Sequence, residues 1–302
     1  MSCTDTQAYS NSSAPSGPLG PLFFESDLFK AVQLSGMFSD SKAFADATPN
    51  APIELILEEY RQALQSHKQL DLTEFVKTHF DTPDIIEIVV DAPSSDINEQ
   101  IEVLWQALSK PAEQQKQNSL LALSQPYIVP GGRFREIYYW DSYFSALGLI
   151  ESGKIEQVHA LLDNFVDLQR RFKCIPNGNR SYYLSRSQPP ILGLLVDLLL
   201  PHEPSKADQK AFVTKYLGAI ESEYLFWMKG SEHLSRENKE YRRVVQMPCG
   251  ARLNRYWDDS PTPRPESYKE DIELCESSAV SDDKAFYRNI RAACESGWDF
   301  ST

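Results

Sequence analysis

From residue 136 to residue 230, apolar side chains recur at helical spacing, segment after segment. Glu136 to Glu151 is followed by a Ser152-Gly153 break and then by Lys154 to Phe172. That second segment places Ile155, Val158, Leu161, Leu162, Phe165, Val166 and Leu168 three and four residues apart, so they share one helix face. Pro189 to Leu200 reads as a strongly apolar helix, and Lys206 to Lys229 as a long amphipathic one. Strands alternating with helices are not evident, which disfavours a doubly wound α/β fold. The expected class is all-α, with helical hairpins in succession and loops between them.

Upstream, Leu22 to Met37 begins an apolar pattern that fits a short helix or strap, and Ser39–Lys42 and Asp46–Pro52 read as loops. Helical spacing returns over Pro52–Leu70, Leu72–Phe80 and Ile97–Leu108. Ile85 to Val90 is a β-branched run between turn residues and predicts a short strand. Residues 1–20 are rich in Ser, Thr, Pro and Gly and are expected to be a disordered tail, with 21–302 forming one domain. Val244 to Asp271 is proline-rich and predicted irregular, and Ser281 to Ser296 returns to helix.

A net charge of −13 argues against nucleic acid or an anionic membrane as partner. Met1 to Gly20 has neither a basic nor an apolar signal region, and no apolar run is long enough to span a bilayer. A soluble, cytoplasmic protein is expected. The five cysteines are odd in number and scattered, and the five histidines occur singly. A disulfide framework, a metal site or a cofactor is therefore not expected.

Chemistry concentrates in Pro130 to Tyr143, which reads Pro-Gly-Gly-Arg-Phe-Arg-Glu-Ile-Tyr-Tyr-Trp-Asp-Ser-Tyr. Two glycines allow a tight turn, and an arginine, a run of aromatics and an aspartate follow. An aromatic floor beside Arg and Asp suits a sugar: its C–H face stacks on a ring, and its hydroxyls take charge-assisted hydrogen bonds. A turn leading into an ordinary aromatic-rich helix fits the same residues.

This stretch resembles the first signature of the trehalases, glycoside hydrolases that cleave α,α-trehalose into two glucoses. Four more segments resemble the same family, in family order. They are Ile175–Arg180, Tyr182–Pro190, Leu253–Asp259 running into Pro263–Ser267, and Glu295–Ser301. The resemblance covers about residues 125 to 302, and is to the amino-terminal part of the cytoplasmic bacterial form. It implies an (α/α)6 toroid of helical hairpins, incomplete over this length, and trehalose as the small-molecule substrate.

Carried over residue by residue, the resemblance implies that Asp299 is the general acid. It places Arg133, Trp140, Asp141, Asn177, Arg186, Ser187, Gln188, Arg264, Pro265, Glu266 and Gly297 at sugar-contacting positions. The roles are chemically sensible. A glycosidic oxygen leaves only when protonated, so the acid must keep its proton near neutral pH. Burial beside Trp298 is expected to raise the Asp299 carboxyl. The three arginines offer a fixed donor geometry, Asn177 and Gln188 both donate and accept, and Glu266 and Asp141 are expected to accept hydroxyl protons and to hold the arginines in position. Asp258 and Asp259 are read as a solvated charge pair, and Asp141 is also a possible helix cap.

An inverting hydrolase needs a second carboxyl, roughly 6.5–9.5 Å from the first, to activate water. The family's base is a Glu well beyond the acid, and its second signature, Gln-Trp-Asp leading into Gly-Trp-Ala-Pro, does not occur in these 302 residues. The chain alone is therefore expected to have little or no activity, and uncovered apolar faces are expected to favour self-association. The alternative is a fragment that only binds sugar or pairs with a second chain. Another helical-toroid glycosidase is a third, weaker reading.

Overall fold

A computed structural model describes residues 17–66, 70–83 and 96–298. The predicted strand at 85–90 and Asp299 lie outside these residues.

The described chain is mostly helical. The amino-terminal part holds α1 (Pro21–Phe24), α2 (Asp27–Leu34), α3 (Ser41–Ala45), α4 (Ile53–Gln65), α5 (Leu72–His79) and α6 (Ile97–Leu108). Then come α7 (Asp141–Glu151), α8 (Ile155–Phe172), α9 (Leu192–Leu199) and α10 (Lys206–Met228), and finally α11 (Tyr268–Ser277) and α12 (Asp283–Ser296). Strands are short. Thr48–Pro49 pairs with Phe80–Asp81 and Ser109–Lys110 with Tyr127–Ile128, while Glu240–Tyr241, Val244–Gln246 and Arg252–Asn254 form a three-stranded antiparallel sheet in that order. No helix among the described residues is long and apolar enough to cross a membrane.

The expected helical succession from 136 to 230 is present, as α7 to α10. Gly153, at φ 71°, lets its own N–H reach the Ile150 carbonyl while Lys154 reaches that of Leu149, and the chain reverses into α8. The α8 face bearing Val158, Leu161, Leu162, Phe165 and Leu168 is buried in the larger of two apolar clusters, together with Leu192, Leu195 and Leu199 of α9. Phe144, Leu147, Leu194, Leu217, Tyr224 and Leu225 of α7, α9 and α10 remain exposed.

Three boundaries differ from the sequence reading. α7 starts at Asp141 rather than Glu136, because the backbone of 137–139 is committed to the facing loop. There the Tyr139 N–H donates to the Asn177 carbonyl (3.0 Å) and the Ile137 N–H to Asn179 Oδ1 (2.8 Å). Ser41–Ala45 is a helix rather than loop; the Asp40 carboxylate accepts from the Lys42 N–H at 2.9 Å and caps it. α11 begins within the proline-rich stretch, three residues after Pro265, where no further proline removes a helical N–H.

The second apolar cluster belongs to the amino-terminal helices. Phe23, Phe29, Phe44 and Phe80 pack ring against ring, with centroids 5.1–5.7 Å apart. The cluster continues into Tyr138, Tyr182 and Tyr183 from the signature segments. Beneath it lies a buried set of four charges. Lys42 Nζ donates to Asp46 (2.5 Å) and Glu136 (3.0 Å), and Arg180 Nε donates to Glu136 (2.9 Å). Arg180 also lies 3.2 Å from Asp46, the Tyr182 hydroxyl donates to Asp46 at 2.8 Å, and that of Tyr138 donates to Glu136. Two cations and two anions balance, and their lone pairs are shared with hydroxyls, which a buried ionic cluster requires. Leu19, in the expected tail, is buried, and its N–H donates to the Asn118 carbonyl at 2.8 Å.

Glu223 on α10 is a different case. It is buried with no cation paired to it among the described residues, accepts from the Tyr139 hydroxyl, and burial pushes its carboxyl up to about 7. A carboxyl raised on folding binds more protons folded than unfolded, so stability falls as pH rises from the ordinary carboxylate range to about 7. Glu223→Gln is expected to flatten that slope. Urea midpoints across pH 4–8 check it, and an unchanged slope would remove Glu223 as the cause.

Candidate functional site

The loop between α8 and α9 is folded on itself around Arg186. Its guanidinium is 1% exposed, donates from Nε to Asn177 Oδ1 (2.9 Å) and from Nη2 to Glu266 Oε1 (2.7 Å), and lies over the Tyr183 ring at 5.0 Å. The Asn177 N–H in turn donates to the Arg186 carbonyl at 3.0 Å. Gly178 permits this approach: a Cβ there would sit 2.8 Å from the Ile137 carbonyl oxygen. Burial alone would neutralise both partners, but the Arg186 charge holds the Glu266 carboxyl below its ordinary range, and Glu266 holds Arg186 above its own. Among the described residues, two buried atoms of this pair, Arg186 Nη1 and Glu266 Oε2, make no hydrogen bond, although Nη1 lies 3.9 Å from Asp258 Oδ2. One is a donor and the other an acceptor.

Glu266 and Pro265 sit in the turn Pro265–Ser267, next to Arg264. Arg264 is paired bidentately with Asp271 of α11 (Nε 3.0 Å, Nη2 2.6 Å), and Nη1 lies 2.9 Å from Cys294 Sγ. Arg133 is paired with Asp40 (Nε 2.6 Å, Nη2 2.8 Å), and its Nη2 also donates to the Glu266 carbonyl at 3.3 Å. The arginines are therefore held by Glu266, Asp271 and Asp40. Asp141 was expected to share this work, but it opens α7, its carboxyl is raised by burial, and the arginines have these other partners.

Ser187 and Gln188 are almost fully buried. The Ser187 N–H donates to Glu295 Oε1 (2.9 Å), and Gln188 Oε1 accepts from the Trp140 N–H (3.1 Å), tying the loop to the start of α7. Gly297 closes α12 at φ 74°, and a Cβ built there would lie 2.6 Å from Trp140 Cε2. Trp140 and Gly297, more than 150 residues apart in the chain, are thus in direct contact. Gly297→Ala is expected to destabilise the chain by about 1–2 kcal/mol, from the left-handed backbone and the crowded ring together. Urea unfolding checks the stability, and Trp140 fluorescence the displacement; no change in either would contradict the packing described.

One sequence expectation needs correction. Asp258 is not solvated. It is fully buried, accepts from the Ser185 hydroxyl (2.9 Å) and the Ser260 N–H (2.8 Å), and lies 3.6 Å from Arg291; only Asp259, paired with Arg242 at 3.2 Å, reaches solvent. Trp298 is 68% exposed, and Asp299, whose carboxyl it was expected to raise, lies outside the described residues.

Several site-building residues escaped the sequence reading. Glu295 is buried and accepts from Arg243 Nε (3.0 Å), the Ser187 N–H and the Trp257 N–H (2.7 Å). Its place in the Glu295–Ser301 segment was a usable signal, as was that of Glu136 in the first signature. Asp40, Asp271 and Arg243 lie outside the sugar-contacting set and had no comparable signal. Among the described residues, no cluster of His, Cys, Asp or Glu is placed to hold a metal ion.

The fold and site define a mostly helical protein with a buried arginine–carboxylate cage. A family model described as Trehalase matches residues 36–302. A periplasmic trehalase of Shigella flexneri serotype 5b (strain 8401) is 45% identical over 289 residues, covering 95% of this chain and 50% of its own length. One of Escherichia coli (strain SMS-3-5 / SECEC) is 45% identical over 300 residues, covering 98% and 51%. This chain belongs to the trehalase family. A solved structure of neutral trehalase Nth1 from Saccharomyces cerevisiae is 27% identical with a TM-score of 0.40, covering 57% of this chain and 33% of its own. The chain spans about half the length of the curated relatives it matches.

These relatives overturn the cytoplasmic location and the likeness to a cytoplasmic form expected from the sequence, since they are named periplasmic trehalases. The composition of Met1–Gly20 describes those residues only and does not fix a compartment. The buried Cys174 is disulfide-bonded, whereas Cys249, Cys275 and Cys294 are thiols.

Proposed function

We propose that this chain carries the glucose-recognising cage and the general acid of a periplasmic enzyme that hydrolyses α,α-trehalose to two glucoses with inversion. The carrying observation is that Arg186 Nη1, 3.9 Å from Asp258, and Glu266 Oε2 are buried and make no hydrogen bond among the described residues, within an otherwise bonded cage. A sugar hydroxyl both accepts and donates, so it can satisfy both atoms at once. Leaving such atoms unpaired costs about 1–3 kcal/mol each, a cost that ligand binding relieves. Trp140, held by Gln188 and Gly297, supplies the ring on which a pyranose face stacks.

In this reading Asp299, two residues past the Gly297 that ends α12, donates its proton to the glycosidic oxygen as the bond to the anomeric carbon breaks. In the same step a water attacks the anomeric carbon from the opposite face, losing its proton to a second carboxylate. None of the residues assigned here is that base. The exposed apolar side chains of α7, α9 and α10, Phe144, Leu194 and Leu225 among them, favour further polypeptide as their cover.

Glucose release from trehalose tests both parts. The 302-residue chain alone is expected to release little, and its mixture with the carboxy-terminal half of a relative is expected to turn over. Asp299→Asn is expected to abolish that turnover. Undiminished turnover with Asp299→Asn would remove Asp299 from the acid's role, and full activity of the chain alone would show that no second polypeptide is needed.

A further inference from the structure

Arg133 lies in the first signature, on the turn made by Gly131 and Gly132, both at positive φ. Its side chain is half-exposed, so packing alone does not fix where its guanidinium lies. Two N–H groups are taken by the two oxygens of Asp40, at 2.6 and 2.8 Å, and Nη2 also reaches the Glu266 carbonyl at 3.3 Å. Among the described residues, Nη1 makes no hydrogen bond. A planar fork gripped along the Nε–Nη2 edge has its remaining edge set in space, because the guanidinium does not flex.

Asp40 is itself fixed. It caps α3, its Oδ1 accepting from the Lys42 N–H at 2.9 Å. α3 is held against the Pro265–Ser267 turn: the Lys269 N–H donates to Ser41 Oγ at 3.3 Å, and Gln33 Nε2 donates to the carbonyls of Ser41 (2.9 Å) and Pro265 (3.2 Å). A five-residue helix with no sequence motif thereby joins Arg133 to the turn that carries Glu266.

We propose that Asp40 is a positioning residue that sets the free edge of Arg133 for a sugar hydroxyl. The proposal rests on the sugar-site reading above. It gives the amino-terminal segment, which carries no recognisable chemical motif, a part in ligand affinity.

Asp40→Asn separates the two jobs of this side chain. Asparagine is as good a helix cap as aspartate, but it offers one acceptor and no charge to the guanidinium. Trehalose affinity is titrated by tryptophan fluorescence for the unmodified chain, Asp40→Asn, Arg133→Ala and the double variant. Asp40→Asn is expected to weaken binding about fivefold, the scale of a good half-exposed ion pair. In the Arg133→Ala background the same change is expected to have no effect, because Asp40 acts only through that arginine. A salt titration of the unmodified chain is independent of any folding defect: the ligand is neutral, so affinity lost as salt screens the pair reports the clamp, and Asp40→Asn should be salt-insensitive.

Wild-type affinity in Asp40→Asn, or an Asp40→Asn loss that persists without Arg133, would overturn the positioning role and leave the sugar site standing. If the folded, unmodified chain binds no trehalose, the sugar-site reading falls and this proposal with it.

Discussion

Arg186→Lys is expected to abolish measurable trehalose binding, a loss of at least about a hundredfold, while the chain still folds. Lysine keeps the positive charge but is a point donor, and it cannot serve Asn177 Oδ1 and Glu266 Oε1 from a rigid fork. The donor corresponding to Arg186 Nη1 is lost outright. The stability loss is expected to be about 1–3 kcal/mol, because Asn177 and Glu266 are left with poorer partners in a buried site. Urea unfolding and a trehalose titration on the same sample separate the two effects. Near wild-type affinity in a folded Arg186→Lys chain would show that the cage is structural and not the ligand's seat.

The second large effect is on stability. Glu136→Ala is expected to cost about 3–5 kcal/mol, because it leaves Lys42 and Arg180 buried with only Asp46 between them. It also strips the Tyr138 hydroxyl of its acceptor. Burial would push the Glu136 carboxyl up, but Arg180 and Lys42 outweigh burial and hold it below its ordinary range. A carboxyl depressed on folding binds fewer protons folded than unfolded. Its contribution is therefore present above the ordinary carboxylate range and is lost as pH falls through the lowered value. Chemical unfolding at neutral pH and under acid should show a gap between wild type and Glu136→Ala that narrows on acidification. A loss below about 1 kcal/mol at neutral pH would mean that the cluster is not the joint between the amino-terminal helices and the signature loops.

These two positions also mark what could be read before any coordinates. α8 was legible because it buries one apolar face over many turns, and periodicity accumulates with length; α10 is a long helix as expected but not the amphipathic one, since Leu217, Tyr224 and Leu225 are exposed while Glu223 is buried. α3 was not, because five residues cannot show a period. Asn177, Arg186 and Glu266 were legible as a set through family resemblance, and their mutual bonds explain why those residue types go together. Asp40 was not, since its partner lies 93 residues away and a loop aspartate looks the same whether it caps, pairs or does neither. Lys42 likewise meets Glu136 across 94 residues, and a lysine at 2% exposure is the least expected burial in a sequence. Local patterns find elements and motifs, whereas the pairs that hold motifs together are long-range and leave no local trace.

The account turns on a hydroxyl-bearing ligand completing the Arg186–Glu266 pair. Isothermal titration of trehalose into the folded 302-residue chain tests this most directly. Saturable binding that is lost in Arg186→Lys is the predicted result. A folded chain that takes up no trehalose, or takes it up equally well with Arg186→Lys, would contradict it.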